Sequence, residues 1–354
     1  MPGFLSRNGL KYVKAKPISV SQRKIFKVSV IKGFFIKVEQ VVRENAIIPE
    51  LEFNIDETML TIGNMKDDKV VIPNEAYVGY CDSHSLDISS HITMMGIIPA
   101  KGDYCKPAFI LPFKNMPKGL ENTLAGHAWV YTPSGWITIV AWRYLLETWL
   151  IPVIDERRTK LKCPDAHALV LVDAHDTRFD SSSCELLASH KIHAVVITPG
   201  ATSIIQPLDQ EVFRQYRVIM RKWLNALRSE IGHSEDEKRT KLVELSLAAF
   251  QSASNNFYRD KSWRVTGLLP YNPEAVYGLE CIVKDEDNPI PNPEPKRKEK
   301  RNSVRKEDEE ITSEKAIAAE KKYENEQQKP KRQKLTNNSS TVIAPKKKKE
   351  KKEK

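Results

Sequence analysis

Three aspartates in this chain stand where a divalent metal could be held. Asp56 ends or closely follows a strand-like run in FNIDETML, Asp173 closes the apolar run HALVLVD, and Asp209 opens a long helical pattern in IIQPLDQEVF. Acidic groups at two strand ends and one helix start, converging over one edge of a sheet, can hold two Mg2+ ions about 3.5–4 Å apart. Hard cations take oxygen ligands, and phosphoryl transfer needs its attacking and leaving oxygens clamped and the phosphate charge offset. Carboxylates do this without competing as strong nucleophiles. Taken singly, each Asp is as simply a turn former or a helix cap, so spacing alone leaves both readings open.

The elements that would position them follow from hydrophobic periodicity. From 19 to 47, Phe26, Val30, Phe34, Val38, Val41 and Val42 recur at near-helical spacing among lysines, which predicts one or two helices with a basic outer face, ended by 45–49. Strand signals dominate 51–113, with a hairpin over 88–113 turning at Ala100-Lys101-Gly102-Asp103. A helix over 136–150 follows Pro133-Ser134-Gly135. HALVLV at 167–172 and HAVVIT at 193–198 are short continuous apolar runs of the kind buried on both sheet faces, with a short helix at 181–190 between them. From Leu208 onward, Phe213, Tyr216, Met220, Trp223 and Leu227 step by threes and fours as one amphipathic helix. Strands first, then alternating strand and helix, predict a mixed α/β sheet.

The chain has 354 residues, 40% of them hydrophobic, and a net charge of +10. That charge is uneven: residues 1–50 carry +7, 51–283 carry −4 and 284–354 carry +7. We therefore divide the sequence into a basic helical start (1–50), a catalytic-type domain (51–283) and a Lys-rich tail (284–354). The tail has too few aromatic and branched apolar residues to offset its ordering entropy, so it reads as disordered apart from a transient helix near 309–326. PKRKEKR, PKRQKL and PKKKKEKK within it are clusters of the nuclear-import type, which points to import receptors as partners and the nucleus as location. Five widely spaced cysteines without a C-x-x-C pair argue against a disulfide framework or a zinc knuckle. The start lacks an apolar leader core, and no run of apolar residues is long enough to span a membrane.

Three motifs carry a resemblance. Asn54-Ile55-Asp56-Glu57-Thr58, Asp173-Ala174-His175-Asp176-Thr177-Arg178, and the run from Pro199 to Asp209 ending in Gln206-Pro207-Leu208-Asp209 occur in the order, and close to the wording, of the DDE superfamily of transposase and endonuclease domains. The branch they resemble is that of pogo, jerky and the centromere protein B. SSHITMMGIIPAKG, PSGWIT and WRVTGLLPYNPEAV add to the likeness, which runs from about 50 to 280. It implies a ribonuclease-H-like mixed sheet flanked by helices. It also implies a D-D-D triad of Asp56, Asp173 and Asp209 that holds two Mg2+ ions, or Mn2+, with Glu57, His175 and Gln206 as supporting groups around them. Asp173 and Asp209 are 36 positions apart, similar to the family's separation. The implied chemistry is cleavage of DNA and attack of the liberated 3′-hydroxyl on a target.

Some residues depart from the pattern. Ala174 replaces the Gly or Asn of nearer relatives and Thr177 replaces Ser, and Ala enters left-handed backbone less readily than Gly. Asp176 and Asp180 read as solvated loop charges, and His175 as a hydrogen-bonding support rather than a ligand. Relatives begin with two helix-turn-helix units, of which GFLSRNGLKYVKAK at 3–16 resembles only the last recognition-type helix and exit of the second. There Arg7, Lys11, Lys14 and Lys16 could contact DNA phosphates, which position rather than specify. Arg214, Arg217, Arg221 and Arg228 follow the long helix as either a solvated face or a phosphate rail. DNA is the expected partner, together with a homodimer mate. The alternative from another class is a domesticated chromatin or DNA-binding protein that kept the fold without the reaction.

Overall fold

A computed structural model describes residue 7 and residues 25–60, 91–226, 234–279, 281–282 and 310–328. In chain order the elements are α1 (Val28–Glu44), β1 (Glu52–Leu60), β2 (Ile92–Pro99), β3 (Ala108–Leu111), α2 (Leu120–Thr123) and β4 (Trp129–Tyr131). Next come α3 (Ile139–Leu145), a π-helical turn (Leu146–Leu150), α4 (Ile151–Lys160), β5 (Ala168–Val172), a 3-10 turn (Asp176–Arg178), α5 (Ser181–Ser189) and β6 (Ile192–Val196). After them lie α6 (Thr202–Ile205), a second π-helical turn (Leu208–Val212), α7 (Phe213–Ala226), α8 (Glu235–Ala253), α9 (Asn256–Val265), α10 (Glu274–Tyr277) and α11 (Glu314–Gln328).

The strands form one six-stranded sheet in the order β4-β3-β2-β1-β5-β6. β1 pairs antiparallel with β2, and β2 with β3. β1 and β5 run parallel, as do β5 and β6. An antiparallel meander joined through β1 to parallel strands, with helices as the connections, is the mixed ribonuclease-H-like arrangement the motifs imply. Every residue of β2 and β5 is buried, which is why both read as continuous apolar runs.

Several elements match their sequence patterns closely and others shift for identifiable reasons. The 88–113 hairpin is present, with Thr93 opposite Ile110 and Met95 opposite Ala108; residues 61–90 lie outside the described residues. The helix expected over 136–150 starts later, at Ile139, because the Thr138 side chain caps the Ala141 N–H at 3.1 Å. It also continues to Lys160 despite Pro152. The π-helical turn just before that proline loosens the ladder where the ring would clash with the carbonyl four residues back. Basic α1 buries Ile31, Phe34, Phe35, Val38 and Val41 in the same core as the sheet residues. Phe35 meets the rings of Tyr271 and Tyr277 edge-on, and the Tyr271 hydroxyl donates to the Phe35 carbonyl at 3.1 Å.

Within 284–354, read above as disordered, residues 310–328 are placed against the sheet. The Ile311 N–H donates to the Ala194 carbonyl at 2.9 Å, the Ala194 N–H donates to Thr312 Oγ1 at 3.1 Å, and Glu310 bridges Val195. α11 follows, packed on α5, with both Glu324 oxygens accepting from the Ser181 N–H and hydroxyl at 3.0 and 2.7 Å. The helix read near 309–326 is present as α11, but composition does not show its docking, because that depends on the edge of β6, met by the Ile311 backbone and the Thr312 hydroxyl. The three Lys-rich clusters lie outside the described residues. No described helix is long and apolar enough to cross a membrane.

At the start of β1, Glu52 is buried, and burial, then Glu50, pushes its carboxyl up to about 7 from 4.5. A carboxyl whose folded pKa exceeds its unfolded one makes the native state bind the extra proton between those values, so stability falls as pH rises from 4.5 to about 7 and then levels. Glu52→Gln should remove that slope and raise stability at pH 8 by up to about 3 kcal/mol. Urea unfolding at pH 5 and pH 8 checks this; a variant less stable than wild type at pH 8 would contradict it.

Candidate active site

The sheet register brings the three aspartates to one end of the central strands. Asn54 is opposite Leu171 in the parallel pairing of β1 and β5, so Asp56 and Asp173, each two residues further on, leave that ladder level with one another. Asp173 follows the last residue of β5 as expected. Asp56 differs from expectation: β1 runs on to Leu60, still paired with β2 through Asp56 opposite Gly96, so the residue lies within a strand that has lost only its β5 neighbour. Asp209 is the second residue of the turn Leu208–Val212, delivered to the same place by the buried residues Leu208 and Val212.

The carboxylates feel one another. Burial, then Asp209, then Asp173 push the Asp56 carboxyl well above its ordinary value, with Arg178 working the other way. Asp209 is also raised, by burial and by Asp173 against the lowering effect of Arg217. Repulsion of this sort is what a cation between the groups relieves, and carboxylate oxygens are the donors a hard divalent ion takes. The donor chemistry therefore fits Mg2+ or Mn2+. Among the described residues, however, no three His, Cys, Asp or Glu side chains converge as a metal-holding group.

Beside the carboxylates lies Arg178, which the sequence pattern contains but does not single out. Its side chain is fully buried; Nε donates to Asp173 Oδ1 at 2.6 Å and Nη2 to Glu57 Oε1 at 2.8 Å. The guanidinium carbon lies 4.7 Å from the centre of the Trp142 ring, a cation–π contact. Burial opposes the charged guanidinium, but Asp173, Glu57 and then Asp56 outweigh it and hold its pKa above the ordinary value. Asp173 is thus turned toward an internal cation. The sequence signal for Arg178 was its place at the end of the Asp173–Arg178 motif, which does not show what its side chain touches.

The other expected residues divide. Glu57 joins the cluster through Arg178. Gln206 is buried and neither amide atom has a hydrogen-bond partner in the protein. His175 is exposed and its Nδ1 lies 2.9 Å from Thr177 Oγ1, closing its own 3-10 turn. Ala174 is not among the residues with positive φ, so the turn after β5 makes no demand for Gly. Asp180 corrects the solvated reading: it is buried, caps Ser183 N at 3.0 Å and pairs with Arg143 at 2.8 Å, as an N-cap at the start of α5 should. Asp176 is exposed.

Of the basic residues, Arg7 is exposed, and Lys11, Lys14, Lys16 and Arg228 lie outside the described residues. Arg214, Arg217 and Arg221 are exposed along α7. Arg214 is paired with Glu211, which Lys261 also reaches. Arg217 acts on Asp209.

Residues 90–260 match the family model described as DDE superfamily endonuclease. The match takes in Asp173 and Asp209 and begins after the strand that carries Asp56. No curated protein matches the chain. Among solved structures, a pre-cleavage Mos1 transpososome is 11% identical, with a TM-score of 0.42 over 72% of this chain and 70% of that one. The mariner Mos1 paired-end complex with Mg is 12% identical over 71% and 69%, with a TM-score of 0.42. The catalytic domain of Mos1 mariner transposase is 12% identical over 70% and 100%, with a TM-score of 0.35.

Proposed function

Because residues 90–260 match the DDE superfamily endonuclease family, we propose that this chain is a DNA-cutting and strand-transferring domain of the transposase kind, of the pogo, jerky and centromere-protein-B branch. Asp56, Asp173 and Asp209 would hold two Mg2+ ions, with Mn2+ as substitute. Beside that match, what supports the reading is the β1–β5 register, which sets Asp56 and Asp173 level, with Leu208, next to Asp209, bonded to Asn54 of β1. When bound, the ions would supply Lewis-acid stabilisation of the attacking and leaving oxygens.

The chain's own side chains do the rest. Arg178 holds Asp173 by Oδ1 and leaves its second oxygen for a ligand role. Arg217, with Arg221 further along α7, offers exposed positive charge beside Asp209 for the DNA backbone. Arg214 contributes less because Glu211 already offsets it. Arg7, Lys11, Lys14 and Lys16 would add sequence-independent phosphate contacts, and the Lys-rich tail would supply nuclear import, tested by whether 284–354 carries a fused reporter into nuclei.

A second reading has one observation in its favour. The Asp173–Arg178 pair is what a domesticated DNA or chromatin-binding protein would keep if the carboxylates no longer took metal. Supercoiled plasmid incubated with the full chain and Mg2+ or Mn2+ separates the two. Nicking by wild type and none by Asp173→Asn, with DNA binding retained by both, supports the nuclease. DNA binding without nicking by wild type supports the second reading, and equal nicking by both proteins overturns the site assignment.

A further inference from the structure

We propose that Asn54 is the positioning residue that sets the three carboxylates relative to one another, an inference that rests on the metal-holding role assigned above to those aspartates. Asn54 is fully buried. Its Nδ2 donates to the Leu171 carbonyl at 3.1 Å, and its Oδ1 accepts from the Leu208 N–H at 2.9 Å. Each partner adjoins an aspartate. Leu171 is two residues before Asp173, Leu208 is one before Asp209, and Asn54 itself is two before Asp56 on the same strand face. One amide therefore ties together the three segments that carry the acidic groups, across separations of 117 and 154 residues.

The two bonds tie the end of the sheet ladder to a helical turn. The parallel ladder of β1 and β5 stops at the Asn54–Leu171 pair, and there the Asn54 side chain adds a bond to the Leu171 carbonyl. The turn Leu208–Val212 begins at Pro207, whose side chain supplies no cap, and the first N–H groups of a helical turn have no partner inside it. Asn54 Oδ1 caps that turn from another element.

The partners also fix which way the amide points, since a carbonyl requires the NH2 and an N–H requires the oxygen. Among side chains of this size only Asn presents one donor and one acceptor in this way. Asp would face the Leu171 carbonyl with a second acceptor. Leu would remove the bond to the Leu171 carbonyl and leave the Leu208 N–H without its cap.

The test uses the full chain, with Asn54→Leu and, as a smaller change that spans neither partner, Asn54→Ser. Thr93→Val serves as control: it removes a buried bond from Thr93 Oγ1 to the Gly135 carbonyl at 2.8 Å. Hydrogen exchange without metal reads the strut directly. Exchange across 206–213 should accelerate in both Asn54 variants while 192–196 stays as in wild type, and Thr93→Val should leave 206–213 unchanged. Titration with Mn2+ reads the consequence: the Asn54 variants should bind about tenfold or more weakly, as losses of groups that orient metal ligands do, and Thr93→Val should bind like wild type.

Unchanged exchange at 206–213 in a folded Asn54 variant overturns the proposal. So does a loss of Mn2+ affinity that Thr93→Val shares at matched stability. If Asn54→Leu does not fold, Asn54→Ser carries the same comparison. If wild type itself binds no Mn2+, the metal role of the aspartates fails and the exchange comparison alone decides the role of Asn54.

Discussion

Arg178→Met is expected to destabilise the protein by about 3 kcal/mol or more at neutral pH. Methionine has similar length and packs against Trp142, so the change isolates the charge. Removing it leaves Asp173 and Glu57, whose side chains are only 28% and 17% exposed, facing each other's end of the sheet with no cation between them. Truncating one partner of a buried pair is costly because the other charge stays behind. The cation–π contact at 4.7 Å is lost as well. Arg178→Lys should be intermediate: an ammonium keeps the charge but cannot serve Asp173 with one nitrogen and Glu57 with another through a rigid fork. Urea unfolding of the three proteins gives the order directly. A methionine variant as stable as wild type would show that Arg178 does not hold the carboxylate end of the sheet together.

Gly135→Ala should also be severe, at about 2–4 kcal/mol. Gly135 sits in the turn before α3 with φ of +70°, and a Cβ there would lie 2.0 Å from the backbone carbonyl of His91. Neither a rotamer change nor a flexible neighbour can relieve a clash with backbone. The position is held from both sides, since its own carbonyl accepts from Thr93 and its N–H donates to Thr132 at 3.1 Å. Gly119 supplies the comparison. Its φ is +89°, yet the nearest atom to an added Cβ is Thr240 Cγ2 at 3.9 Å, so Gly119→Ala incurs the backbone strain alone, about 1 kcal/mol. The difference between the two melting shifts measures the clash. Equal shifts would mean that the turn at 132–136 moves away from β2 at little cost.

The parts of this fold that show in the sequence are those whose burial is complete or strictly periodic. β5 and β6 stand out as apolar runs because both faces are covered, and α7 stands out because Phe213, Tyr216 and Met220 are buried at three- and four-residue steps. Asp173 and Asp209 were legible for a related reason: each ends or begins such an element. Features made by partners distant in the chain were not. Glu57 and Arg178 are 121 residues apart, and neither shows by its neighbours that the other neutralises it. Asp180 looks like any polar loop residue until Arg143, 37 positions earlier, is brought beside it. The run of helix past Pro152 was hidden because a π-helical turn has no residue signature of its own. Asn54 was visible as a letter in a motif, but its two bonds depend on the register of β1 with β5 and on where the Leu208 turn arrives.

Among the described residues, the segment that pairs with β6 includes Glu310 and Ile311, most of the way along a chain of 354 residues. An outer strand with unpaired backbone groups is a template for other strands. During synthesis every described strand of the sheet is complete once Val196 has been made, yet among the described residues the backbone partners of β6's outer margin come more than a hundred residues later. The sheet is therefore finished in time from its centre outward. Its last seam is sewn by the end of the chain that composition alone would discard.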